Sequence, residues 1–237
     1  MALIHWIRRM SIENTTWGAP RVAAELALLG QVVAESTVSK CMVRVRTPDP
    51  SQRWGTFIRN HMDVTAACDF FVVPTATFKV LYVFVILSHA RRQIIHINVT
   101  EHPSAEWTAR QLLEAFPMGV PRLLLRDRDA IYGWEFKRMV KALGMKEIKS
   151  APRSPWQNAF VERAIGTLRR ECTDHVIPFG RRHLLRTLLE YVEYYNESRP
   201  HQSLDRNSPA PREVESIGEV TAKPVLGGLH HRYFRAA

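Results

Sequence analysis

The chain has 237 residues, enough for one large domain or a compact domain with a small appendage, and its 46% hydrophobic and 24% charged residues suit a globular core. A formal net charge of +10 makes a polyanion the first partner to test. Three scattered cysteines (Cys41, Cys68, Cys172) without CxxC spacing exclude a disulfide framework and read as reduced thiols. The longest apolar run, Val80 to Leu87, is too short to span a bilayer, and the N-terminus lacks a signal-peptide pattern, so a cytoplasmic protein without a membrane partner is expected.

The first segment predicts three short helices. Ile4 to Met10 is apolar with two arginines. Pro20 opens a second helix with Val22, Leu26 and Leu29 on one face, and Gly30 stops it. Glu35-Ser36-Thr37 is read as the cap of a third helix containing Val38 and Met42. Two helices around a glycine-containing turn match a helix-turn-helix, which puts Ser36, Thr37 and Lys40 forward as nucleic-acid-binding residues. Residues 1–46 are therefore expected to be an all-α DNA-binding segment and 47–60 a polar linker.

Three apolar strand candidates follow at short intervals: Ala66 to Val73, Val80 to Ser88 and Gln93 to Val99. Their connections are too short for crossover helices, which implies an antiparallel meander. A helix from Ser104 to Phe116, a strand from Arg122 to Leu125, a helix from Trp134 to Leu143 and a strand near Lys146 to Lys149 come next. Two long helices, Pro155 to Cys172 and Arg181 to Tyr195, complete the pattern. The fold class is α/β, a mixed sheet flanked by helices over 61–211, with a C-terminal tail from 212 to 237 whose Gly227-Gly228-Leu229-His230-His231 is read as an extended terminal strand or arm.

Three acids stand in core-like sequence on separate elements. Asp69 interrupts the apolar strand Ala67-Cys68-Asp69-Phe70-Phe71, where an ionised carboxylate costs several kcal/mol unless an arginine or a bound cation compensates. Asp127 closes Leu123-Leu124-Leu125-Arg126, at the strand end where open α/β sheets place ligands, and Asp129 competes for the same role two residues on. Glu162 borders the buried stripe Val161, Ala164, Ile165, Leu168 and Cys172 of the penultimate long helix. Three converging carboxylates would repel one another unless cations neutralise them, and oxygen-only ligands select Mg²⁺ or Mn²⁺. Two such ions can serve an attacking and a leaving oxygen in phosphoryl chemistry. Seven arginines against three acids between Ala151 and Arg186 suit a phosphate backbone beside that site.

The order Asp69, Asp127, Glu162 resembles the acidic triad of the retroviral-integrase-like catalytic core shared by bacterial insertion-sequence transposases. Three segments carry the resemblance: Leu125-Arg126-Asp127-Arg128-Asp129, Ser154-Pro155-Trp156-Gln157-Asn158-Ala159-Phe160-Val161-Glu162-Arg163, and Tyr195-Asn196-Glu197-Ser198-Arg199-Pro200-His201-Gln202-Ser203-Leu204. They are similar to the second-aspartate strand end, the N-A-x-x-E-R segment and the Y-N-x-x-R-P-H-x-x-L signature of those transposases.

The resemblance covers roughly residues 55 to 211. It implies a ribonuclease H-like fold, two divalent ions and transesterification of DNA by a homo-oligomer. Asp69, Asp127 and Glu162 become the catalytic metal ligands; counting back from Tyr132 selects Asp127 over Asp129. Many relatives have Asp-Asn-Gly or Asp-x-Gly where this chain has Asp127-Arg128-Asp129. Asn158, Arg163 and Arg169 become DNA-facing helpers, and His201 is expected to anchor the loop after the last helix. The tail is too short for the C-terminal DNA-binding barrel of the retroviral relatives. Two other readings use the same residues: a nuclease that cuts without joining, and a DNA-binding remnant that no longer reacts.

Overall fold

A computed structural model describes residues 2–14, 16–43, 50–117 and 119–236 of the chain. It divides into two compact units, Met1–Arg53 and Trp54–Ala237.

The first unit is helical: α1 (Ala2–Glu13), α2 (Ala19–Leu28) and α3 (Glu35–Cys41). Ile7, Val22, Ala23, Leu26 and Val38 form its core, so each helix contributes from one face. Pro20 sits in the first turn of α2, where a missing N–H costs nothing, and Gly30 ends the helix in the left-handed region (φ 78°). There the Gln31 N–H reaches back to the Leu26 carbonyl at 2.8 Å, closing the turn. The cap of α3 differs from the sequence reading. Ala34 occupies the N-cap without a side-chain bond, and Ser36, Thr37 and Lys40 project from α3 as exposed residues. The expected segment boundary at residue 46 lies outside the described residues.

Where a linker was expected over 47–60, the described part is helical: α4 runs from Pro50 to His61. Pro50 supplies the helix start, and Trp54, Phe57 and His61 stack in succession with ring centroids 5.2 and 4.5 Å apart. The Trp54 indole Nε1 donates to the Gln157 carbonyl at 3.1 Å, so the end of α4 packs as part of the second unit.

The second unit is built on a five-stranded sheet of β1 (Thr65–Pro74), β2 (Val80–Ser88), β3 (Ile94–Thr100), β4 (Leu123–Arg126) and β5 (Lys146–Lys149), in the order β3-β2-β1-β4-β5. The first three pair antiparallel as a meander, and β4 and β5 join parallel to β1. Helix α5 (Ala105–Ala115) connects β3 to β4, and α6 (Trp134–Ala142) connects β4 to β5. Leu112, Phe136 and Val140 of these helices cover one face, meeting Cys68, Phe84, Ile86 and Leu124.

After β5, Pro155–Asn158 form a 3₁₀ turn that feeds α7 (Ala159–Glu171), and α8 (Arg181–Glu197) follows. Val161, Ile165 and Leu168 of α7 and Leu184, Leu188 and Tyr191 of α8 bury against the opposite face, over Ala67, Phe71, Val83, Val85 and Leu125. The alternation along β1 decides this division: residue 67 and its odd-numbered companions face α7 and α8, while 66 and 68 face α5 and α6.

The tail takes the strand form of the two expected, doubled into a hairpin. β6 (Glu219–Val225) and β7 (His230–Ala236) form an antiparallel hairpin, and the expected extended end is held by specific contacts. His230 Nε2 lies 2.6 Å from the Glu171 carbonyl, and its ring stacks on Tyr194 at 4.9 Å.

Candidate active site

In the parallel pairing of β1 with β4, Ala67 stands opposite Leu125. Two residues further along both chains come Asp69 and Asp127, on the same face of the sheet as Ala67 and Leu125. That face is the one α7 covers, and Glu162 lies in the first turn of α7. Period-two alternation in two neighbouring strands and the entry of one helix therefore turn all three acids toward one end of the sheet.

The electrostatics register this proximity. Burial first, then the charges of Asp127, Glu162 and Asp129, push the Asp69 carboxyl up to about 7, against a 2.8 Å hydrogen bond from the Phe70 N–H that lowers it. Burial and then Asp127 push Glu162 upward too, although Glu162 is exposed. Like charges that disfavour one another's ionisation make a site that a cation would relieve. The donor set is all carboxylate oxygen, which suits a hard divalent ion. Among the described residues, no group of three or more His, Cys, Asp or Glu side chains is drawn into a ready-made metal cage. Asp69, Asp127 and Glu162 offer the oxygen donors that could hold an ion here.

Asp127 and Asp129 divide the work of their turn. The Asp127 Oδ1 accepts the Asp129 N–H at 3.1 Å, and the Asp129 Oδ1 accepts the Ile131 N–H at 2.9 Å. Asp129 is exposed and serves the turn, which is the common use of such an aspartate.

Sequence reasoning missed Arg126. Only 2% exposed, it points to the α5 and α6 face, where its guanidinium lies over Tyr132 at 4.8 Å and Phe136 at 5.8 Å. Nε donates to the Glu147 Oε1 at 2.6 Å, and Nη1 donates to the Asp127 carbonyl at 2.7 Å. A charge inside a Leu-rich strand was the available signal, since burial of arginine requires partners.

The three expected DNA-facing helpers sit differently. Arg163 is exposed on α7. Arg169, also exposed, lies 5.5 Å over the Phe71 ring. Asn158 is 3% exposed, and its Oδ1 and Nδ2 have no hydrogen-bond partner among the described residues. His201 holds the loop after α8: its N–H donates to the Asn207 carbonyl, and its own carbonyl accepts from Leu204 and Arg206, each at 3.0 Å. Both cysteines placed in the sheet and α7, Cys68 and Cys172, are buried free thiols.

Residues 143–209, which run from β5 through α7 to the His201 loop, match the family described as Integrase core domain. The "Insertion element IS476 uncharacterized 39.2 kDa protein" of Xanthomonas euvesicatoria is 26% identical over 152 residues, covering 58% of this chain. The chain spans about 44% of that relative's length. Among solved structures, a chain of the simian T-cell lymphotropic virus intasome, in complex with PP2A regulatory subunit B56 gamma, aligns over 97% of this chain and 87% of its own, with TM-score 0.54 and 15% identity. The HTLV-2 integrase catalytic core domain in complex with magnesium aligns over 62% of this chain and 93% of its own, with TM-score 0.51 and 11% identity. At that identity the likeness establishes the fold: a mixed sheet flanked by helices, of the ribonuclease H-like kind seen in integrase catalytic cores. No helix among the described residues is long and apolar enough to cross a membrane.

Proposed function

We propose that the chain is a DDE-type DNA transposase that cuts and joins the ends of a mobile element. The observation that carries this reading is that Asp69 on β1 feels the charges of Asp127, just past the end of the adjacent parallel strand β4, and of Glu162 in the first turn of α7. The Integrase core domain match and the insertion-element relative support it.

Asp69, Asp127 and Glu162 act as ligands for divalent magnesium or manganese, two ions in the active assembly. When bound, the ions stabilise the entering and leaving oxygens of an in-line displacement at phosphorus. The protein's part is positional. The rigid β1 and β4 backbones fix two carboxylates, and α7 brings the third from its exposed first turn.

In the first reaction a water oxygen bonds to phosphorus as the bond from phosphorus to the 3′-oxygen breaks, and that oxygen leaves as a 3′-hydroxyl. In the second, this hydroxyl attacks a target phosphodiester and displaces the target's own 3′-oxygen. The number of phosphodiester bonds is conserved in the joining step, so it needs no external energy source.

Arg163 and Arg169 lie on α7 with Glu162 and contact the DNA backbone; Asn158, at the base of the same helix, steadies the strand's approach. Residues 1–46 serve as a helix-turn-helix segment, with Ser36, Thr37 and Lys40 on the exposed side of α3 toward DNA. Two element ends must be paired before joining, so the working form is a homo-oligomer.

The test is strand transfer by the full chain with Mg²⁺ or Mn²⁺ on duplexes carrying the element's terminal repeats. Wild type nicks and joins; Glu162→Gln binds the same duplex and does neither. Joining retained by Glu162→Gln overturns the site. Nicking without joining by the wild type replaces this reading with a nuclease, and binding without either reaction replaces it with a DNA-binding remnant.

A further inference from the structure

Beside α7, the structure holds a cavity of about 700 Å³ between α7, the loop after α8 and the turn joining β2 to β3. Its lining includes Arg92, Arg163, Arg170 and Arg199, with Phe160 and Thr167 between them, and no Asp or Glu. Arg199 is already committed: Nε and Nη2 bind the Glu171 carboxylate at 2.7 and 2.6 Å. The other three differ. Among the described residues, none of Arg92, Arg163 and Arg170 pairs with a carboxylate.

Arg92 is held in place instead of neutralised. Its guanidinium lies 3.3 Å from the Phe160 ring centroid and donates to the His89 carbonyl at 3.2 Å, and its backbone occupies the left-handed region (φ 59°). Burial and the charge of Arg163 both push its pKa downward. The His89 ring, 1% exposed and packed edge-on against Phe160, has no hydrogen-bond partner on either nitrogen among the described residues; burial and the charge of Arg92 push it down to about 4, leaving it neutral. Arg163 and Arg170 stand seven positions apart on α7, two turns along one stripe, with Thr167 between them. Holding three guanidinia around one concavity without a counter-charge raises the energy of the empty cavity, and an oxyanion would lower it.

We propose that this cavity is a phosphate-binding pocket, in which Arg92, Arg163 and Arg170 take the phosphodiester groups of a bound nucleic-acid strand. It rests on the reading of the core as DNA-acting, and deepens it by assigning a phosphate site on the side of α7 that carries Arg163 and Arg170, about a quarter-turn round the helix from Glu162. The phosphates come either from a DNA backbone or from a small phosphate compound, and two arms of one experiment separate these sources.

In the first arm, the full chain without divalent metal is titrated with a fluorescein-labelled random-sequence duplex at several salt concentrations. Because metal is absent, the outcome is independent of whether the acids catalyse anything. The double variant Arg92→Gln/Arg170→Gln is expected to lose about two units from the slope of log affinity against log salt, and about a hundredfold in affinity at 0.1 M salt relative to 1 M. Arg92→Lys/Arg170→Lys restores the slope, which a folding defect would not, and circular dichroism checks the fold of both variants. In the second arm, inorganic pyrophosphate is expected to raise the melting temperature of the wild type and not of the Gln variant. A changed slope identifies DNA as the source. A pyrophosphate effect with an unchanged slope identifies a small phosphate compound. Absence of both overturns the proposal.

Discussion

Arg126 donates from Nη1 to the backbone carbonyl of its neighbour Asp127 at 2.7 Å, so the buried cation fixes the peptide that carries the acid. Nε of the same guanidinium donates to Glu147 of β5. The strand end, its neighbour strand and the turn to α6 are thereby tied through one side chain.

Glu147→Gln removes the counter-charge and leaves Arg126 buried with weaker partners. Breaking a fully buried pair costs about 3–5 kcal/mol; Glu147 keeps some access to water, so about 2 kcal/mol is expected. Urea denaturation measures it. Strand-transfer activity should fall further than the loss of folded protein explains, because the Asp127 peptide loses its anchor.

Asp69 gives a stability test opposite in sign to its proposed catalytic role. Its folded pKa, about 7, lies above the ordinary aspartate value, so its contribution favours folding at low pH and is lost as pH rises toward 7. Asp69→Asn removes that pH-dependent penalty. Without metal, the variant should be more stable than the wild type by roughly 4 kcal/mol at about pH 8 and about equal to it near pH 4. Thermal melts at the two pH values decide it. A variant less stable at the higher pH would show that the acids do not strain the empty site.

Glu162→Gln should abolish cleavage and joining while changing stability by less than about 0.5 kcal/mol, as for an exposed substitution. Comparing melting curves with joining yields separates these effects.

Tyr191→Phe tests the clasp at the far end of α7. The Tyr191 hydroxyl donates to the Glu171 Oε2 at 2.7 Å, and Arg199 binds both oxygens. Burial alone would raise the Glu171 pKa, but the Arg199 and Tyr191 hydrogen bonds and the Arg199 charge bring it below its ordinary value. A depressed folded pKa stabilises above the unfolded pKa, and that stability disappears as pH falls through the folded value. The variant should lose about 1–2 kcal/mol at neutral pH and progressively less in acid, measured by chemical denaturation.

The strands and most helices were legible because apolar runs such as Val80 to Ser88 have a length and flanks that only a strand satisfies. The acids stood out as candidates because Asp69 interrupts an apolar run, Asp127 closes one and Glu162 borders a buried helical stripe. Helix α4 was not, since Ser51-Gln52-Arg53 reads as polar linker and its apolar stripe of Trp54, Phe57 and Ile58 is short. The tail hairpin was also hidden: its strands are largely exposed, and its anchor, His230 against Glu171, joins residues far apart in sequence. Asn158 and Arg126 show the general limit. Their residue types announce polarity, while their burial depends on neighbours that only the assembled sheet supplies.

The regular geometry of α7 gives it the character of a ruler. An α-helix rises about 1.5 Å per residue, which puts the backbone positions of Arg163 and Arg170 about 10 Å apart along the axis, with Glu162 one step before the first. Because Val161, Ile165 and Leu168 lock the helix to the sheet, this spacing does not depend on what is bound. A strand gripped by the two arginines would be measured out relative to the acid by the pitch of the helix, without any loop having to find its place.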